Sequence, residues 1–295
     1  MDAMPSARFV MQTNGLLLNR MDVKYVNKFQ SVFVSLDGDK SLTDYYRGHG
    51  TYDRVLKNVN EIRENGFAGE IVARMTVGEE TEIDRQVLAL AENVELPNSS
   101  VHWQLDALFW QNDFPKRHFS YWTENSYNPR LKRLIDVWVD RMRMDGKVLR
   151  LYPFLGVMES LLLGEPSRLR CGAGWSLFNI QTDGYITPCP VMAGLTDFYL
   201  GNIRETQLEN LKESASVISP CTQCDIFSIC GGRCLYANVT KLWGEEGFSQ
   251  VCSTVREMTN ALLAVLPEIS GLLEAGRICV SDFHYQKYNG CEVIP

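Results

Sequence analysis

Residues 221–234 read CTQCDIFSICGGRC, and the gaps of two, five and three residues between Cys221, Cys224, Cys230 and Cys234 govern how the whole chain is read. Cys252 follows seventeen residues later, while upstream Cys171 and Cys189 flank Gly184 at twelve and four residues. Seven of the nine cysteines thus fall between Cys171 and Cys252, and none precedes Cys171. Thiolates are soft anionic ligands, and four of them suit either a tetrahedral zinc or the corners of an iron–sulfur cube. A two-residue gap lets one turn present both thiols. Zinc ribbons, however, pair two such gaps, whereas here the second half uses gaps of five and three residues, with two more cysteines upstream. On spacing, clusters are favoured over zinc, and seven buried thiols serving only as small hydrophobes do not normally group in this way.

The rest of the composition is ordinary. Of the 295 residues, 29 are Lys or Arg and 36 Asp or Glu, so the net charge is 29 − 36 = −7, which argues against a nucleic-acid or membrane-surface binder. Hydrophobic residues make up 45% and charged residues 22%, enough for one large or two modest domains with a sizeable core. No apolar run reaches the ~18 residues of a membrane span, and the start, MDAMPSARFVMQTNG, lacks signal-peptide character. The expected address is cytoplasmic, where thiols stay reduced.

The cysteine-free half alternates strand and helix signals. ARFVMQT before Asn14-Gly15, Ser31 to Leu36 before Asp37-Gly38, Gly69 to Val77, and SVHWQLDALFW read as strands. A loop after Asp37 leads to Thr51 as a helix N-cap, with Tyr52, Val55, Leu56, Val59 and Ile62 at helical spacing and Gly66 at the C-terminal end. Ile83, Val87, Leu90 and Ala91 mark a second helix. Such alternation predicts parallel βα units from an open sheet or a barrel. Residues 113–128 read as an irregular connection, and Leu131, Leu134, Ile135, Trp138, Val139 and Met142 as the core stripe of a helix. Beyond Cys171 the pattern turns to short strands with a hairpin at Asp183-Gly184, then a last helix over about Val255 to Leu273, interrupted at Pro267. The expected organisation is an α/β segment at 1–125, a helical connection at 126–170 and a small α+β cysteine domain at 171–295.

Taken together, the seven cysteines and Gly184 resemble the SPASM motif that follows the barrel of many radical S-adenosylmethionine (SAM) enzymes. The resemblance implies two auxiliary [4Fe-4S] clusters with interleaved ligands, Cys171, Cys189 and Cys234 on one and Cys221, Cys224, Cys230 and Cys252 on the other. An eighth cysteine present in some relatives is missing, since LLLGEPSRLR precedes Cys171. An open iron, Cys279 or Cys291 would complete the first cluster, although each of the last two reads better as an ordinary thiol. The N-terminal half is similar to the last strands of a partial radical SAM (β/α) barrel, with FVMQTNGLLL, VFVSLDG and IVARMTV resembling its fourth, fifth and sixth strands. By that likeness Ser35, Arg47 and Arg74 would contact SAM. Without it, Ser35 fits a turn equally well, and Arg47 and Arg74 fit surface ion pairs. His102, Gln104 and Asp106 on the last strand are candidates to face substrate.

The resemblance also defines what is lacking. Radical SAM chemistry needs a Cys-x3-Cys-x2-Cys loop, and with no cysteine before Cys171 these residues should not cleave SAM alone. Three βα units, about 90 residues at ~30 each, would have to come from a longer reading frame or a separate chain. The implied parent modifies a peptide or protein side chain, draws electrons from a reductant protein, and makes a 5′-deoxyadenosyl radical from SAM. Pro190 after Cys189 replaces the aspartate that acts as a base in sulfatase-maturating members, which disfavours formylglycine formation. A non-catalytic iron–sulfur subunit for electron transfer or peptide docking is the competing function, followed by a zinc-stabilised interaction module.

Overall fold

The computed structural model describes residues 1, 6–97, 99–108, 112–211, 215–287 and 294–295. Four strands, β1 (Phe9–Thr13), β2 (Phe29–Ser35), β3 (Glu70–Val77) and β4 (Ser100–Leu105), form one sheet in that order, every neighbouring pair parallel. Parallel strands need crossovers, which the helices Thr51–Glu64 and Ile83–Ala91 supply between β2, β3 and β4. Val55, Leu56, Val59 and Ile62 of the first and Ile83, Val87 and Leu90 of the second are all buried, as their spacing predicts. Thr51 does not cap its helix. Gly50, in a left-handed conformation, holds the cap position, and the Thr51 hydroxyl donates to the Arg47 carbonyl at 3.0 Å. The segment before it is not a loop either, since Lys40–Arg47 is helical, capped by the Asp39 carboxylate on the Leu42 amide.

Register decides what each sheet face carries. Gln12 pairs with Phe33, Ser35 with Arg74, Arg74 with His102 and Thr76 with Gln104, so these side chains share one face. Val32, Val34, Ala73, Met75, Val101, Trp103 and Leu105 alternate with them and are buried on the other. The helix Tyr152–Leu163 covers the lower half of the polar face, where Tyr152 stands edge-on to both Phe33 and His102 at 6.4 Å. The upper half, toward the C-terminal strand ends, keeps Ser35, Arg74 and Gln104 half-buried.

Residues 113–128 hold more helix than their composition suggests. A turn at Phe119–Trp122 runs through a π-type turn at Thr123–Tyr127 into the helix Asn128–Asp145, whose predicted stripe is buried throughout. The last helix is longer than expected, Gly244–Glu274, and passes through Pro267. One backbone bond is lost there, but Thr259 and Leu262 before it and Ile269 after it stay buried, so packing carries the helix across. It lies against Asn128–Asp145 and Tyr152–Leu163.

The cysteine-rich region has its own antiparallel sheet, β5 (Asn179–Ile180), β6 (Tyr185–Thr187) and β7 (Gly201–Asn202). Its hairpin turns where expected, with Gly184 at φ +91°. Its core is small, with Leu169, Ala173, Met192, Val217 and Leu235 buried and Cys171, Cys189 and Cys221 packed against them. Among the described residues no helix is long and apolar enough to cross a membrane.

Candidate cluster-binding site

Two groups of functional side chains lie at the C-terminal side of the parallel sheet. The first crosses the strands themselves. Arg74 donates from Nη1 to Gln12 Oε1 at 2.7 Å and from Nη2 to Gln104 Oε1 at 2.5 Å, joining β1, β3 and β4 above its register partner Ser35. Arg47 stands at the end of its helix and donates from Nε and Nη2 to Asp37 at 2.5 and 2.7 Å. Asp37 also accepts the Thr76 amide at 2.9 Å, which fixes the Arg47 guanidinium over the ends of β2 and β3. The three residues named from sequence thus stand near one another. The candidate substrate-facing residues on β4 separate: His102 is fully buried against Tyr152, Gln104 accepts from Arg74, and Asp106 pairs with Arg117 at 3.3 Å.

The second group is the thiols. Cys221, Cys224, Cys230, Cys234 and Cys252 line one cavity with Arg233, Ala237, Arg256, and Leu108 from the loop after β4. Leu108 brings the parallel-sheet half to the wall of the thiol cavity. Burial pushes the Cys221 thiol up to about 12, with further opposition from Cys252, Cys230 and Cys224, so these four sense one another. Burial likewise raises Cys252 to about 11 and Cys230 and Cys234 above the ordinary thiol value. Cys189 forms the second neighbourhood. It is pushed to about 11 by burial and then by Cys234, and it packs with Cys171 on the small core. None of the eight described cysteines is in a disulfide, and among the described residues no three His, Cys, Asp or Glu converge at single-ion distance.

Backbone amides and two side-chain donors lie near these sulfurs. Nearby amides oppose the effect of burial at three of them, those of Val191 and Met192 at Cys189, Gly232 and Arg233 at Cys230, and Tyr236 and Ala237 at Cys234, although the Cys189 and Cys234 sulfurs make no hydrogen bond to the turns they precede. Asn238 Nδ2 lies 3.4 Å from Cys221 Sγ, and Arg256 Nη2 is 3.6 Å from Cys224 Sγ. Curled backbone that points successive N–H groups inward is an anion cradle. Gly231 and Gly232, at φ +70° and +97°, make the curl after Cys230 possible. Donors and burial together fit thiolates that give up their protons to a bound metal group. Cys279 is exposed, and its side chain accepts the Asp282 amide in a capping box at the turn Val280–Phe283 while its own amide donates to the Asp282 carboxylate, and Cys291 lies outside the described residues.

The sequence reading missed Asp37, Arg233, Asn238 and Arg256. Asp37 carried a signal, as a carboxylate directly after a buried strand and ten residues before Arg47. Arg233 carried another, being a charge set between two spaced cysteines.

Residues 171–235 match the family model of SPASM, an iron–sulfur cluster-binding domain. This part of the chain is therefore similar to a SPASM domain, and the chain as a whole shares its fold with solved structures. Solved structures of native anSMEcpe with bound AdoMet (SAM) superpose with a TM-score of 0.66 at 21% identity, over 90% of this chain and 75% of that one. The polyhistidine-tagged form with bound AdoMet gives the same TM-score over 94% of this chain. Native anSMEcpe with AdoMet and the Cp18Cys peptide matches over 90% of this chain and 76% of that one. At this identity the likeness establishes the fold. No curated protein sequence matches the chain.

Proposed function

We propose that this chain is the cluster-bearing part of a radical SAM/SPASM enzyme that modifies a side chain of a peptide or protein in the cytoplasm. The observation that carries the reading is the gathering of Cys221, Cys224, Cys230, Cys234 and Cys252 around one cavity, with Asn238 Nδ2 and Arg256 Nη2 at 3.4 and 3.6 Å from two of the sulfurs. Cys171, Cys189 and Cys234 would hold one [4Fe-4S] cluster and Cys221, Cys224, Cys230 and Cys252 the other. Bound clusters supply one-electron chemistry. The chain's own residues orient and screen. Asn238 and Arg256 hold the sulfurs of Cys221 and Cys224, and Ser35, Arg47 and Arg74 offer SAM a polar shelf at the strand ends, where barrels bind ligands. The peptide structures of anSMEcpe support a peptide as the substrate class. Pro190, which offers no carboxylate, argues for a reaction other than formylglycine formation. The three thiolates that chelate SAM would come from polypeptide outside these 295 residues, and electrons from a reductant protein.

Anaerobic purification with iron and sulfide analysis tests this. The expectation is roughly eight irons per chain. Cys221→Ser should remove about half of them and leave the rest, whereas a colourless protein containing zinc would establish the zinc-module reading instead. SAM cleavage measured with and without the supplying polypeptide distinguishes an enzyme part from a purely electron-transferring subunit.

A further inference from the structure

Arg233 is the anomaly of the thiol cavity. It is 5% exposed, and among the described residues Nε, Nη1 and Nη2 all lack a hydrogen-bond acceptor. A buried guanidinium with no partner costs several kcal/mol, so a fold retains one only where something anionic meets it. No carboxylate is paired with it among the described ion pairs. It lines the cavity beside five thiols, Cys221, Cys224, Cys230 and Cys252 of one assigned cluster and Cys234 of the other. Its charge opposes the effect of burial at Cys230, Cys234 and Cys252, and so reaches thiols assigned above to both clusters. The backbone adds a second sign of purpose. Arg233 sits at φ +47°, in the left-handed region that a long side chain enters only at a cost, directly after two glycines in the same region. That turn follows Cys230 directly and sets the Arg233 side chain in the wall of the cavity.

We propose that the Arg233 guanidinium is the buried counter-charge of the two clusters, placed beside both ligand sets to raise their reduction potentials. The inference rests on the cluster reading of the preceding section. Three or four thiolates on a four-iron cube leave a net anionic group, each added electron makes it more anionic, and a fixed cation nearby favours the reduced form. Net charge and hydrogen bonds to sulfur are established determinants of cluster potential. Arg256 cannot substitute, because it lies at the solvent edge, where Asp225 already neutralises it.

Redox titration of the purified, iron-loaded chain followed by electron paramagnetic resonance tests the proposal, with Arg233→Met and Arg233→Lys beside the wild type. At a fixed potential Arg233→Met should hold at least tenfold less reduced cluster, a shift of about 59 mV for one electron. Arg233→Lys, which keeps the charge, should recover most of it. An unchanged midpoint in Arg233→Met at full iron content overturns the proposal and leaves the cluster reading standing. A wild-type chain that takes up no iron overturns both. Should Arg233→Met lose iron, the lysine variant decides. Full loading with a near-native midpoint supports the counter-charge, and equal loss in both variants means that Arg233 only fills space.

Discussion

Asp37 grips Arg47 through two hydrogen bonds of 2.5 and 2.7 Å, and the two ends of this pair differ in exposure, the carboxylate at 2% and the guanidinium at 26%. The aspartate is therefore the dependent partner. Removing Arg47 would strand a buried charge on the Thr76 amide alone. Breaking a buried pair from one side costs about 3–5 kcal/mol, so Arg47→Met should lose about that in denaturant unfolding. Asp37→Asn combined with Arg47→Met should cost clearly less than the two single changes added together. Additive losses would mean that the pair does not act as a unit.

Gly231 carries a steric prediction. A Cβ there would stand 2.7 Å from the Leu169 amide nitrogen and 2.9 Å from that of Arg168, on backbone at φ +70°. The Gly231 carbonyl also accepts the Leu169 amide at 2.8 Å, so this contact joins the Cys230 turn to the chain entering Cys171. Gly231→Ala should lower the iron content and the unfolding midpoint together. Gly164→Ala is the control, at φ +67° but with nothing within 4 Å, and should cost only the conformational ~1–2 kcal/mol. Equal effects at both glycines would remove the steric argument.

The parallel sheet was legible because its strands and crossover helices carry strong periodic patterns, each of which local sequence specifies. Lys40–Arg47 was not. Its residues are nearly all polar and only Thr43 is buried, so no apolar stripe announces the helix, which the Asp39 cap and the Arg47 pair hold in place. Tyr152–Leu163 hid for the opposite reason, being apolar on almost every side and so without a period. Spacing named the cysteines, but the donors around them are set by left-handed turns at Gly231 to Arg233 and by Asn238, seventeen residues from Cys221, which only the folded chain brings together.

Trp243 joins the two halves. Its indole Nε1 donates to Asp113 Oδ1 at 2.7 Å, its ring packs on Phe114 and Phe119, and the Arg117 guanidinium lies 5.3 Å from its centroid. Hydrogen bonds to charged groups contribute about 1.5–3 kcal/mol, and Trp243→Phe keeps the aromatic packing while removing this one. Destabilisation in that range, with iron retained, is the expected result of thermal unfolding and metal analysis. A neutral substitution would place the junction's strength in the ring contacts instead.

Stability against pH separates the metal-free from the loaded protein. Unfolded thiols ionise near 9.0, while burial holds Cys189 and Cys252 to about 11 and Cys221 to about 12 in the folded chain. Above 9 the unfolded chain binds fewer protons than the folded one, so the slope of unfolding free energy with pH is negative. The stabilising contribution is present in full below pH 9 and is lost as pH rises through 11–12. Bound metal or cluster requires thiolates and expels those protons at loading, which removes the dependence. Denaturant midpoints measured anaerobically on either side of pH 9 should fall for the chelator-stripped chain and stay level for the loaded one. A stripped chain with a flat profile would show that these thiols are not protonated in the metal-free fold.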